Sequence, residues 1–321
     1  MTRSISILLV ISLSGIMLAS IPSSLNSASY AQGSTISDLT AVTRNASGVA
    51  TSNSNVSVMF NDQVLKAKLL ARDLEDTIRD GVSALELISN NTTPITNPPN
   101  VTLLKNTIKT LHGIPQNADQ PKRRLVEDVL SKYKLFQYIG YQTPTGDLYF
   151  TEPYPHQVAI HTLNFAFREH YKGAVASRGP YLSNVITNVV TGKPNAVVAI
   201  PIYSQNGNKS LIGLLTASLN FTYFDQSLRS LNFTNNGQRI VLVDHNGTAI
   251  ADSSSSSNNS SNNNKYVPKA ESFANFQSFK NAIAGKSGSI VESVNGTKML
   301  VSYHPVQAVQ RTWAVLLMKP L

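Results

Sequence analysis

The sequence predicts an α+β protein, a long N-terminal helix followed by two units built on antiparallel sheets. Three observations carry this. Leu70, Leu74, Ile78, Val82 and Leu85 recur at spacings of four and three, one apolar stripe on a helix from about Val56 to Ser89. From Phe136 onward the apolar period shortens, and turn-forming stretches such as Gln205-Asn206-Gly207-Asn208 separate the runs. The order strand, hairpin, helix, then strand, hairpin, strand suits antiparallel sheets with helices packed on them.

The elements follow in order. Arg3 gives a positive start, Ile5 to Ile21 is almost wholly apolar, and Ser29 and Ala31 supply small residues for a signal peptidase. Residues 1–31 are expected to be a signal peptide cleaved after Ala31; the alternative is an uncleaved anchor. Residues 32–55, rich in Ser, Thr, Asn and Gly, read as a flexible linker. The long helix ends at Asn90-Asn91-Thr92-Thr93-Pro94. A second helix follows Pro121, with Leu125, Val129, Tyr133 and Phe136 on one face. Strands are expected at Phe136–Tyr141, Leu148–Phe150, Ala196–Tyr203 and Leu211–Phe221, then a short helix at Tyr223–Leu231. A smaller unit starts near Gln238, with strands at Ile240–Val243 and Thr248–Ala251 and a helix at Glu271–Ala284 carrying Phe273, Phe276 and Phe279. Strands at Ser287–Ser293, Thr297–Tyr303 and Thr312–Met318 complete it, and Ser253–Asn264 reads as a low-complexity loop. The domain boundaries are therefore 56–235 and 236–321.

Composition narrows the function. A hydrophobic content of 41% in 321 residues excludes wholesale disorder, and the absence of cysteine removes disulfides, thiolate metal sites and cysteine nucleophiles. The net charge of +9 is a sparse excess, since charged residues make up only 14%. Lys122-Arg123-Arg124 is the one sharp basic cluster; it reads as a solvated helix face, so no nucleic-acid partner is expected. Asn-X-Ser/Thr sequons are frequent, and those at Asn208, Asn246 and Asn295 fall at expected hairpin tips where a glycan is tolerated.

No catalytic constellation or metal site emerges, and no cofactor is implied. His156 and His161 lie five apart, off a shared helical face, without an HEXXH or carboxylate pattern. Asp244-His245 lacks a Gly-X-Ser-X-Gly elbow to supply a nucleophile. Asp62, Asp73, Glu75, Asp76 and Asp80 read as the solvated face of the long helix.

From Val56 to the C-terminus the chain resembles the extracellular double Cache family. The carrying stretches are Phe167-Arg168-Glu169-His170-Tyr171-Lys172-Gly173-Ala174, Gly179-Pro180-Tyr181-Leu182-Ser183, Thr191-Gly192-Lys193-Pro194, Ala199–Tyr203 with Gly213–Ser218, and Val243–Gly247 with Gly296 and Thr312–Val315. The resemblance implies two sheet modules related to the PAS fold, membrane-distal and membrane-proximal, and a non-enzymatic sensor of a small molecule. It places Arg168, His170, Tyr171, Tyr181, Ser183 and Ser218 in the ligand pocket. An arginine there offers a planar fork to a carboxylate, flanked by aromatic walls. The alternative for Arg168 is a structural arginine paired with Glu169 or capping a loop. In amino-acid-sensing members acidic residues hold the ligand ammonium; here those positions are Ser183 and Ser218, so a small organic acid without an obligatory amine is expected. His170 stands where tryptophan is usual and adds a titratable donor. With no second apolar span in the sequence, output is expected through a membrane receptor or kinase partner, with a homodimer through the long helix. The expected location is secreted or cell-surface. The alternative function is a secreted adhesion or structural glycoprotein with a vestigial pocket.

Overall fold

The computed structural model describes residues 53–188, 190, 192–204, 209–231, 237–254 and 271–321. The expected signal segment, most of the linker and the Asn208 sequon lie outside them. Helix α1 spans Asn53–Asn91, starting three residues before the expected Val56. Its 39 residues measure about 58 Å at 1.5 Å per residue. The predicted stripe is its buried face, extended by Ala67, Ala71 and Ile88.

Beyond α1 come α2 (Thr93–Thr96), α3 (Val101–Leu111) and α4 (Gln120–Lys132). Helix α3 is N-capped by the Asn100 side chain, which accepts from the Leu103 N–H at 3.0 Å. Helix α4 corrects the reading of the basic cluster, because Lys122 and Arg123 are buried rather than solvated. Arg123 is 1% exposed, ion-paired to Glu152, and donates to the carbonyls of Ala118, Ile114 and Pro115 at 3.1, 3.2 and 3.3 Å. Lys122 pairs with Asp119 at 3.0 Å. Helix α4 also ends before Phe136, which opens the first strand.

The remaining elements are β1 (Phe136–Gln142), β2 (Leu148–Glu152), α5 (Tyr154–Ala159), α6 (Glu169–Ser177), β3 (Tyr181–Leu182), β4 (Ile186–Thr187), β5 (Pro194–Asn195), β6 (Val197–Tyr203), β7 (Leu211–Leu219) and α7 (Phe221–Arg229). Then follow β8 (Arg239–Val243), β9 (Ala249–Asp252), α8 (Gln277–Ile283), β10 (Gly288–Val294), β11 (Thr297–Ala308) and β12 (Arg311–Pro320). The first sheet runs β2-β1-β7-β6-β3 and the second β9-β8-β12-β11-β10, both antiparallel. Numbered within each sheet, both have the order 2-1-5-4-3, the same fold used twice. This is the α+β architecture the sequence predicts.

Strand β11 runs five residues past the expected end at Tyr303, through Pro305. Proline is tolerated there because β10 pairs only as far as Tyr303, leaving the next stretch with β12 as its one neighbour. Helix α8 is shorter than expected, starting at Gln277 rather than Glu271. Phe273 N–H is spent on Gly247 C=O at 2.6 Å, which holds that backbone extended.

Side-chain alternation gives each sheet two faces. One face of each meets α1: Ile139, Val198 and Leu215 from the first sheet, and Leu242, Val315 and Leu317 from the second, share one core with the α1 stripe. Helix α7 precedes the expected boundary at 235, yet Phe224 and Leu228 pack in that same core beside Ile250 of β9. The outer face of the second sheet is covered by Phe273 and α8. On the outer face of the first sheet α6 packs Tyr171 and Ala174 on Ala199 and Leu214, and the rest of that face carries a cavity.

Candidate ligand site on the outer face of the first sheet

Strand alternation places Tyr138, Gly140 and Gln142 of β1 on the outer face, with Thr216 of β7 and Val197 of β6 beside them. Together with Phe165, Arg168, His170, Asn188 and Asn195 they line a cavity of about 50 Å³. Gly140 forms part of its floor. A Cβ there would lie 3.1 Å from the Thr151 hydroxyl and 3.2 Å from that of Thr216.

The wall opposite the sheet is the start of α6. Arg168 is its N-cap residue, with extended backbone, and His170 sits two residues on. Among the described residues the Arg168 guanidinium has no hydrogen bond or ion pair, only the Phe167 ring at 5.1 Å. Its expected alternative partner, Glu169, points the other way and is bound to Arg311 at 2.5 Å. No Asp or Glu is among the residues lining the cavity. His170 is 3% exposed and neither ring nitrogen has a partner. Burial, reinforced by the Arg168 charge, pushes its pKa down to about 4, so the imidazole is neutral at physiological pH.

Polar groups on the sheet side are tied to one another. Asn188 and Asn195 each donate a side-chain N–H to the Tyr138 hydroxyl, at 2.8 and 2.9 Å. Burial raises the Tyr138 pKa; hydrogen bonds from Asn195 and Asn188 and the charge of Arg168 oppose it. His156 stacks on the Tyr138 ring at 3.9 Å, and burial lowers its pKa as well. The Gln142 and Asn195 side-chain oxygens are buried and unpaired.

The second sheet repeats this segment with different side chains. Phe165-Ala166-Phe167-Arg168-Glu169-His170-Tyr171-Lys172 corresponds to Phe273-Ala274-Asn275-Phe276-Gln277-Ser278-Phe279-Lys280. Phe165 N–H bonds to Gly146 C=O at 2.7 Å as Phe273 N–H does to Gly247. Gly146 and Gly247 have φ of 84° and 86°, and a Cβ on either would strike Ala166 or Ala274 at 2.7 Å or less. Each helix is capped by a residue in the same conformation, Arg168 or Phe276. Where the first sheet has Arg168, His170 and Tyr171, the second has Phe276, Ser278 and Phe279.

The Cache domain model of the double Cache type matches residues 31–321. The chain belongs to the double Cache family. Solved structures agree on the fold at low sequence identity. The ligand-binding domain of the Pseudomonas aeruginosa PAO1 amino acid chemoreceptor PctC, in complex with GABA, has a TM-score of 0.52 at 16% identity, covering 81% of this chain and 100% of that one. That of PctB from the same organism, with L-Gln, scores 0.51 at 14%, covering 82% and 90%. The periplasmic sensory domain of the Campylobacter jejuni chemoreceptor Tlp1 scores 0.53 at 12%, covering 83% and 96%. No curated protein sequence matches the chain. No helix among the described residues is long and apolar enough to cross a membrane.

Within this double Cache fold, Arg168 and His170 are among the residues that line the cavity, whereas the other four nominated residues lie outside its lining. Tyr171 donates to Pro144 C=O at 2.5 Å and packs with Ala174, Ala199 and Leu214. Ser183 donates to Asn184 C=O and accepts from Val197 N–H, clasping β3 to β6. Ser218 is fully buried in β7 opposite Tyr138. The Tyr181 hydroxyl donates to Glu169 at 2.9 Å, and its ring covers Gly173, where a Cβ would lie 2.4 Å from it.

Tyr181 and Glu169 belong to a junction between the sheets. Arg311, at the start of β12, binds Glu169, the Leu182 carbonyl at 2.9 Å and His245 Nε2 at 2.7 Å. A guanidinium only donates, so this His245 nitrogen is the acceptor and the ring is neutral. Gln310 exchanges two bonds of 2.8 Å with the Leu182 backbone, acting as one more strand neighbour.

Sequence reading missed Tyr138, Gln142, Asn188 and Asn195. Alternation within Tyr138-Ile139-Gly140-Tyr141-Gln142 was the available signal, since a polar residue on the face opposite Ile139 and Tyr141 must look into something. Among the described residues no group of His, Asp and Glu is arranged to hold a metal. Asn295 lies at the exposed β10–β11 turn, and Asn246 donates to Asn184 Oδ1 at 3.3 Å.

Proposed function

We propose that this double Cache protein is an extracytoplasmic sensor module that binds a small organic monocarboxylate in the cavity of its first sheet and acts through a membrane receptor or kinase. One observation carries the reading: among the described residues, an arginine without a side-chain partner stands over a cavity that no carboxylate lines. A guanidinium facing a low-dielectric cavity is stabilised by an anion, and its fork matches a carboxylate. His170 contributes one N–H donor from a neutral ring. An ammonium would meet no counter-charge among the lining residues, which would cost several kcal/mol. GABA and L-Gln, present in the PctC and PctB structures, both carry an amine and a carboxylate. The cavity here offers a partner for the carboxylate alone.

Tyr171, Tyr181 and Ser183 support the pocket from behind by fixing the loops and strands around α6. The exposed Leu65 and Leu69, one turn apart on α1, are the face proposed for pairing with a second copy. Secretion or surface display follows from the expected signal segment, and Asn295 is the sequon best placed to carry a glycan.

Calorimetric titration of the purified protein tests the binding reading. Acetate or propionate should bind, and Arg168→Met should abolish that binding. Tight binding of glycine or alanine without a preference for the deaminated acid would sink it. No binding or thermal shift with any carboxylate would favour the adhesion reading with a vestigial pocket.

A further inference from the structure

The carboxylate clamp accounts for one end of the cavity and leaves the other end unexplained. Gln142 is 2% exposed and Asn195 3%, and the side-chain oxygen of each lacks a hydrogen-bond partner. A buried polar atom left unpaired costs roughly 1–3 kcal/mol. Two such oxygens among the residues that line one cavity, facing an imidazole with neither nitrogen engaged, mark a place where something else completes the bonding.

Chemistry restricts what that group is. A second carboxylate would need a second cation, and Arg168 is the only charged residue among the described residues of the lining. An ammonium would need an anion that is absent there. A hydroxyl is neutral, and it both donates and accepts. It therefore satisfies a carboxamide whichever way round the amide lies, and it satisfies either nitrogen of a neutral histidine. Size sets the third limit. By the measure in which one water fills about 10–15 Å³, a cavity of about 50 Å³ admits only three to five water-sized groups. That suits a carboxylate carrying a short hydroxylated carbon.

We propose that the cavity selects a short 2-hydroxy monocarboxylate over the unsubstituted acid, with Gln142 and Asn195 as the residues that read the hydroxyl. This rests on the carboxylate reading of the same cavity and adds to it the second functional group of the ligand. Asn195 is held for the task, since its amide nitrogen is spent on the Tyr138 hydroxyl at 2.9 Å. Gln142 is placed by β1, whose pleat turns it to the same face as Tyr138.

The experiment is a calorimetric titration of the whole protein with two matched pairs, glycolate against acetate and lactate against propionate. In each pair the hydroxy acid should bind at least ~10-fold tighter, because a site built around a hydroxyl leaves its own polar groups unpaired with the analogue that lacks one. Gln142→Met, with folding checked by its thermal melt, should bring the ratio within each pair down to about threefold or less. Equal affinity for both members of each pair in the wild type, abolished by Arg168→Met, would overturn the hydroxyl reading while leaving the carboxylate reading intact. If none of the four acids binds, both readings fall. A ratio that survives in both Gln142→Met and Asn195→Ala would overturn the assignment of those residues.

Discussion

The two sheets share one topology and one loop–helix segment, and they differ in what that segment presents to the outer face. In the second sheet Phe273, Phe276 and Phe279 close over Val241, Val243 and Leu316. In the first, Phe165 stays while Arg168 and His170 stand over open space. Backbone bonds, the positive-φ glycine and the cap conformation are retained in both. The difference therefore separates what builds the fold from the side chains that only the first sheet turns towards a cavity. A filled outer face maximises apolar burial; a hollow, polar one gives up that stabilisation at a particular spot.

Four measurements would break or sharpen that contrast. Phe273→Ala should cost about 3–5 kcal/mol in denaturant unfolding, as a large truncation in a closed core does. Phe165→Ala, beside space that already exists, should cost less; equal losses would mean that the two faces are equally packed. The second concerns pH. The His170 pKa is about 4 folded against 6.5 as reference, so the unfolded chain takes up its proton first as pH falls. Its contribution to stability is complete above pH 6.5 and is lost towards pH 4, about 3 kcal/mol in all by linkage. Urea melts at pH 7 and pH 4 should show that loss in the wild type and a smaller one in His170→Leu. Third, Arg311→Ala removes bonds to Glu169, the Leu182 carbonyl and His245 at the junction and should cost about 1–3 kcal/mol. The smallest change in stability is expected for Arg168→Phe, which gives the first sheet the residue of the second. Stability should move by no more than about 0.5 kcal/mol, while carboxylate binding disappears. A large destabilisation would assign Arg168 a structural role instead.

Much of this fold was legible because its signals are local. The α1 stripe is a period, and Asn295-Gly296 is a turn dipeptide that adopts φ of 51° and 82°. Helix α3 was missed although Val101, Leu104, Ile108 and Leu111 recur at helical spacing; of these only Leu104 is buried. Arg123 misled because its buried charge is matched by Glu152 of β2, 29 positions away, whereas Asp119, the partner of Lys122, stood three residues off and in view. The site divides the same way. Arg168 and His170 sit in one recognisable segment. Gln142 of β1 and Asn195 of β5 come to line one cavity only in the folded chain, across more than fifty positions of sequence. The repeat itself was open to inspection, with Phe-Ala at 165 and at 273 each followed seven residues later by lysine.

The chain has a single tryptophan, and Trp313 is 1% exposed on β12, inside the core that both sheets share with α1. Its indole is thus a one-site optical gauge of that core. Emission stays blue-shifted while the layer is dry and moves to the red once water enters. Events confined to the outer face of the first sheet leave the signal unchanged. A titration that alters it has carried its effect through to the second sheet, and the protein reports this without a label.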